Sequence, residues 1–332
     1  MKKLSTYLIK KSEIEKVFNL KDAILTVEKV FRLDAKGKTQ MPAKIYLDFQ
    51  KGDLRCMPAY IPLLKAAGSK VVNVHPNNKI LPTVMALIIL VDPNTGFPLV
   101  IMDGKYITDL RTGAAGAIAA KYLARQDSKI AGFIGAGKQA ETQLEGLMIV
   151  KPNIKKFFVY DVNPEKAKQF SKKFSKKYNI KVIQVDSSKT AVANADIVIT
   201  TTPSRKPIVK ANYIKPGTHI NAIGADAAGK QELESKLTKK SKIIIDNWEQ
   251  TSHSGEINVP LAKKIISKRD IYCELGEILI GKKKGRVNQR EITIFDSTGL
   301  AIQDIACANF IYNKILSNKK MKNFKKIKFL DT

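Results

Sequence analysis

Gly135-Ala136-Gly137-Lys138-Gln139-Ala140 has the residue types and spacing of a turn built to hold phosphate. It follows the apolar run Ile130 to Ile134 and precedes a helix that starts near Gln139, which is the strand–turn–helix setting the pattern requires. Gly135 permits the tight turn, and Gly137 lets backbone amides approach a pyrophosphate. Ala140 keeps the helix close to the strand, and the helix N-terminus faces the anion. The next strand ends at Asp161, about 20 residues further on, where a carboxylate accepts both ribose hydroxyls of NAD and repels a 2′-phosphate. The cofactor expected is therefore NAD and not NADP. Three further groups stand out. Lys70 follows Gly68-Ser69 at a strand start, Arg111 precedes a helix, and Asp226 lies past the carboxyl end of a strand. By residue type alone Lys70 reads as a solvated strand edge. Asp226 is equally a turn aspartate or a ligand-facing one, because loops at strand ends bind ligands in such folds. Arg111 has the chemistry to hold a phosphate.

The elements that must position these groups fall into two patterns. Up to about residue 110 helix and strand signals are mixed. Ala23, Ile24, Val27, Val30 and Phe31 recur at helical spacing with Gly37 as a stop, and short apolar runs follow at Ile45 to Phe49, Lys70 to Val74 and Leu87 to Val91. An alanine-rich helix is expected from Thr112 to Ala124. From Lys129 strands alternate with helices: Ile130 to Ile134, Lys156 to Tyr160, Lys181 to Val185, Asp196 to Thr200, His219 to Ile223, Lys242 to Asp246 and Glu291 to Phe295, with a lysine-faced helix at Pro164 to Tyr178. Alternation of this kind calls for a parallel sheet covered on both faces. The final apolar helix, Ala301 to Ile315, is expected to return to the first domain. The fold class is thus α/β, a Rossmann-type doubly wound parallel sheet at 113-299 joined to an α+β domain of 1-112 plus 300-332.

Composition narrows the function. With 332 residues and 44% apolar content, the chain has material for two real cores. Its longest apolar run, Val84 to Val91, is far short of the ~20 residues of a membrane span. Lys10, Lys11 and Glu13 break any signal-like run behind Met1-Lys2-Lys3. Cys56, Cys273 and Cys307 are odd in number and widely spaced, which points to a reducing, cytoplasmic setting and not to a disulfide framework. His75, His219 and His253 form no ligand cluster with each other or with cysteine, so no metal is expected. The net charge of +28 comes from lysines spread along the whole chain without a nucleic-acid motif. It reads as a basic surface that concentrates anionic substrates and cofactors, with no nucleic-acid partner. The basic run Lys319 to Lys328 reads as a solvated tail.

The chain resembles the ornithine cyclodeaminase/mu-crystallin family, with the archaeal-type alanine dehydrogenases nearest within it. The likeness is carried by Met41-Pro42-Ala43-Lys44, Asp53-Leu54-Arg55-Cys56-Met57-Pro58, Gly68-Ser69-Lys70-Val71-Val72-Asn73-Val74-His75-Pro76, Leu81-Pro82-Thr83-Val84, Leu110-Arg111-Thr112-Gly113-Ala114-Ala115, Asn221-Ala222-Ile223-Gly224-Ala225-Asp226 with Gly229-Lys230, and Phe295-Asp296-Ser297-Thr298-Gly299. The resemblance implies an active-site lysine at Lys70, a carboxylate beside the nicotinamide at Asp226, and an arginine meeting substrate and cofactor at Arg111. It implies NAD contacts at Thr83, Arg111, Gly135, Gly137, Lys138, Gln139, Asp161, Thr202, Asn221, Ile223, Gly224, Lys230 and Ser297, and substrate contacts at Lys44, Arg55, Lys70, Arg111 and Thr298. Lys44 stands where cyclodeaminases carry an arginine, a departure that weakens the cyclodeaminase reading and leaves Arg55 as a second candidate clamp. A homodimer built on the first domain is implied by the same likeness.

Oxidising an amino acid at Cα needs a carboxylate clamp, a base for the amine, a hydride acceptor and an activated water. Arg55 and Arg111 suit the clamp, since guanidinium meets carboxylate in two parallel bonds. A lysine titrates near about 10.4, too high for a base at neutral pH. Lys70, held among Lys44, Arg55 and Arg111 and partly desolvated, should have a lowered pKa. Asp226 would orient or deprotonate the water. The activity expected is alanine dehydrogenase, with a 2-oxo acid as the other substrate. The alternatives are ornithine cyclodeaminase, which recycles NAD internally, a ketimine reductase, and a mu-crystallin-like binding protein without turnover.

Overall fold

Buried and half-buried residues alternate along Arg55, Cys56, Met57, Pro58, Ala59, Tyr60 and Ile61, the period-two signature of a strand with one face turned to a core. The computed structural model describes residues 5–317 and 324–328. The chain forms two units, Met1–Arg111 with Leu300–Thr332, and Thr112–Gly299.

The first unit holds β1 (Thr6–Ile9), β2 (Ile45–Phe49), β3 (Gly52–Ile61), β4 (Ala66–Val74), β5 (Val84–Val91) and β6 (Pro98–Asp103). With Lys325–Ile327 they make a seven-stranded sheet, ordered Lys325–Ile327, β1, β6, β5, β4, β3, β2. Neighbours from β2 to β6 run antiparallel, whereas β1 lies parallel to β6. Register sets Met57 opposite Lys70, Lys70 opposite Ile88, and Ile88 opposite Met102. Lys70 therefore projects from the buried face among apolar neighbours. The helix Ala301–Ser317 packs on β3, β4 and β5 and against the helix Leu20–Asp34. The latter buries Ala23, Ile24, Val27, Val30 and Phe31, and Asn19 caps its first turn by accepting from the amides of Lys21 and Asp22.

The second unit is an eight-stranded sheet of β7 (Ile130–Ile134), β8 (Lys156–Tyr160), β9 (Lys181–Gln184), β10 (Ile197–Thr200), β11 (His219–Ala222), β12 (Lys242–Ile245), β13 (Ile271–Glu274) and β14 (Thr293–Asp296). Its order is β13-β12-β14-β11-β10-β7-β8-β9, parallel at every junction. Phe133, Phe157, Phe170 and Phe174 pack on one face, and Ile134, Val198, Ile220 and Ile294 on the other. The chain leaves β7 toward β8 on one side and resumes at β10 on the other. That reversal opens a crevice at the carboxyl ends of β7 and β10.

Several expectations need correction. The helix expected over Thr112 to Ala124 spans Lys105–Leu123, because the Asp103 side chain accepts from the Tyr106 amide and starts it earlier. The strands β1, β3, β6 and β13 were not anticipated. Pro58 is accommodated within β3 because β2 pairs only as far as Cys56, so its missing amide breaks no bond on that side. The basic tail is partly structural, with Lys325–Ile327 pairing with β1, while 319–323 lies outside the described residues. Among the described residues no helix is long and apolar enough to cross a membrane.

Candidate active site

The turn after β7 meets the steric demands of its sequence. Gly135 has φ of 98°, and an added Cβ would sit 2.8 Å from Thr201 Oγ1, so a side chain is excluded on both counts. Gly137 precedes the helix Lys138–Val150 as its N-cap, and a Cβ there would meet nothing within 4 Å. The start of that helix thus leaves space beside Gly137 for an anionic group such as a pyrophosphate. Ala140 is fully buried in the core beneath. Asp161, past β8, accepts from the Ala136 amide at 2.8 Å on one oxygen and from the Asn163 amide at 2.8 Å on the other, tying strand end to turn. Lys138 pairs with Glu141 at 3.0 Å, and Gln139 is half-buried.

The remaining residues of the second unit also lie at carboxyl strand ends. Thr202 donates through its amide and its Oγ1 to Glu232 Oε1, at 2.6 and 2.7 Å, and the Gly224 amide donates to Oε2 at 3.0 Å. A single buried carboxylate therefore fixes the loops after β10 and β11. Burial raises the Glu232 pKa to about 7, against the pull of these donors. Glu256, which accepts from the amides of Glu232 and Leu233, is pushed well above the usual range by burial and by Glu232 beside it. Asp246, past β12, performs the same service after β14, accepting from Ser297 Oγ at 3.1 Å and from the amides of Thr298 and Gly299 at 2.7 and 2.9 Å. Ile223 is buried and continues the β10 ladder through its amide. Asn221 points inward, donating to Gly116 O at 2.9 Å and meeting His219 Nε2 at 2.9 Å, and burial holds His219 down to about 3. Asp226 and Lys230 form an ion pair with each other at 2.5 Å. Glu232 and Asp246 had no signal in the sequence beyond being acidic residues near strand ends.

In the first unit Lys70 is 1% exposed. Its Nζ donates to Asp304 Oδ2 at 2.7 Å and lies 3.4 Å from Thr108 Oγ1. The other oxygen of Asp304 accepts from Arg111 Nε at 3.0 Å, and Arg111 Nη1 reaches Gln303 Oε1 at 3.4 Å. Burial lowers the Lys70 pKa to about 7; Arg111 and more weakly Lys44 push the same way, and Asp304 opposes them. The crowding expected from Arg55 is replaced by another arrangement. Arg55 is bound in two parallel bonds by Asp53, at 3.0 and 2.9 Å, and lies over the Tyr46 ring. Lys44 is half-buried just before β2, and Thr83 is exposed just before β5. Asp304 went unnoticed in the sequence, although an aspartate within the apolar helix Ala301–Ser317, next to Gln303, was a visible anomaly.

A parallel sheet wound in this order around such a turn is the Rossmann-type dinucleotide-binding fold. The chain belongs to the ornithine cyclodeaminase/mu-crystallin family, whose model matches residues 5–319. It is 51% identical to an alanine dehydrogenase of Archaeoglobus fulgidus over 95% of this chain and 96% of that one. Among solved structures it matches an archaeal alanine dehydrogenase dimer with bound NAD at 50% identity and a TM-score of 0.94, covering 98% and 100% of the two chains. It also matches the Δ1-pyrroline-2-carboxylate reductase of Thermococcus litoralis, in complex with NADH and L-proline, at 42% identity and a TM-score of 0.93, covering 97% and 100%.

Proposed function

We propose that this protein is an NAD-dependent alanine dehydrogenase, converting L-alanine, NAD and water to pyruvate, ammonium, NADH and a proton, reversibly. The observation that carries the chemistry is a lysine buried to 1% exposure beside an arginine, with its pKa near 7. Such a group both accepts and returns a proton at neutral pH. The likeness to the Archaeoglobus enzyme supports alanine as substrate. Bound NAD supplies the hydride acceptor for Cα. Gly135, Gly137, Lys138, Gln139, Asp161, Thr202, Ile223, Gly224, Lys230, Ser297 and Thr83 would hold it, with Asn221 acting from the core behind them. Arg111 clamps the substrate carboxylate together with Lys44 or Arg55. Of these, Arg55 already has its fork on Asp53. Lys70 takes the proton from the amine. Asp226, its charge balanced by Lys230, orients the water that hydrolyses the imine, and Thr298 borders the substrate.

The first unit is proposed to bind substrate and to pair with a second copy, and the second unit to bind NAD. Support for pairing lies in β2, where Ile45, Leu47 and Phe49 are 58, 53 and 46% exposed on an edge strand, an arrangement that solitary soluble domains avoid. Three free cysteines fit a cytoplasmic setting. The relative crystallised with NADH and L-proline favours a second reading, reduction of a cyclic imine. A spectrophotometric screen separates the readings: amino acids with NAD, 2-oxo acids with NADH and ammonium, ornithine with NAD, and cyclic imines with NADH. Alanine and pyruvate as the best pair support the proposal. Preference for a cyclic imine, or proline release from ornithine without NADH accumulation, overturns it.

A further inference from the structure

Lys70 and Arg111 converge on one carboxylate that the sequence reading gave no part. Asp304 is 0% exposed. It spends one oxygen on Lys70 Nζ at 2.7 Å and the other on Arg111 Nε at 3.0 Å. A carboxylate removed from water needs such partners, and here the partners are the two cations that the proposed reaction uses. We propose that Asp304 is a positioning residue for that reaction: it locks the ammonium of Lys70 and the guanidinium of Arg111 into one preset unit and keeps Lys70 able to carry a proton at neutral pH.

The surroundings leave the task to Asp304. The groups facing Lys70 are Arg111 and Thr108 from the helix Lys105–Leu123, Asp304 from the helix Ala301–Ser317, and Lys44 ahead of β2. Across the sheet Ile88 stands opposite it, with Met102 beyond. On β3 the Arg55 charge is already matched by Asp53. Cys307, which feels the charges of Asp304 and Arg111, has its thiol held un-ionised by burial. Asp304 is therefore the anion that offsets Arg111 and Lys44. Without it, burial and two cations act on Lys70 unopposed, and a lysine neutral across the working range has no proton to return in reductive amination. Because its two oxygens serve two different cations, the carboxylate fixes their spacing as well as their charge.

The inference rests on the proposed dehydrogenase reading, and its test separates the two. The full-length protein, as wild type, Asp304→Asn, Asp304→Ser and Asp304→Glu, is labelled with trace acetic anhydride across a pH series. The extent of Lys70 acetylation is read by mass spectrometry, alongside the pH profile of kcat/KM for alanine. Wild type is expected to titrate at about 7. The neutral variants should titrate at least about one pH unit lower, a tenfold change in the proton equilibrium, with the ascending limb of the kcat/KM profile moving equally. Asp304→Glu should return both midpoints toward wild type. Asp304→Ser serves if the asparagine variant does not fold. A Lys70 midpoint unchanged in the neutral variants overturns the assignment, whatever their loss of rate. Wild-type protein that turns over no amino acid, yet shows the expected shift in labelling, overturns the dehydrogenase reading and leaves the hold of Asp304 on Lys70 standing.

Discussion

In the proposed reaction Lys70 decides the chemistry, because its position sets its protonation. With a pKa lowered to about 7 by burial, the neutral base grows tenfold per pH unit below that value and levels off above it. The kcat/KM for alanine oxidation should follow this curve, and reductive amination, which needs the protonated form, should fall above it. Lys70→Ala should lower kcat by about 10²–10⁴-fold while NADH binding, followed by fluorescence titration, persists. The same shift acts on stability. Between about 7 and 10.5 the folded state holds fewer protons on Lys70 than the unfolded chain does, so stability rises with pH through that window. Lys70→Met should flatten the rise in denaturant titrations. Without the family likeness a lysine after Gly68-Ser69 reads as solvated. Its buried partner Asp304 lies 234 residues away, and no local pattern carries a partner at that distance.

Among the elements, the glycine turn was the most legible. Strand, turn and helix are contiguous in the chain, and each step has a steric reason. The two glycines should separate on substitution. Gly135→Ala forces a side chain to φ of 98° against Thr201 and should cost about 1–3 kcal/mol of stability in denaturant melts. Gly137→Ala clashes with nothing in the protein and should leave the melt unchanged while weakening NAD affinity by tenfold or more. The anchors behind the neighbouring loops were hidden, because Glu232 and Asp246 act through amides of Thr202, Gly224, Thr298 and Gly299, which any residue type supplies. Element ends were also lost where a cap did the work. Asp103 starts the helix Lys105–Leu123, whereas its alanine-rich middle drew the boundary to Thr112. The parallel sheet itself was readable from alternation, and its strand order was not, since order depends on which edges pair.

For the whole molecule, charge and assembly give separate expectations. A net charge of +28 should steer anionic NADH and pyruvate toward the protein, so KM for NADH should rise with ionic strength and kcat should change little. Placing lysines at Leu47 and Phe49, both about half exposed on β2, should convert a dimer to monomers in light scattering if that edge supports the contact. The two-part organisation was legible because the pattern of the chain changes near Lys129 and because an apolar helix follows the last strand. In the proposed reaction the hydride on Cα of alanine leaves with the cofactor. L-[2-²H]alanine follows that hydride, with the products analysed by mass spectrometry. Deuterated NADH formed in equal amount with pyruvate is the predicted result. Unlabelled NADH, or label retained in a cyclised product with no NADH released, would contradict it.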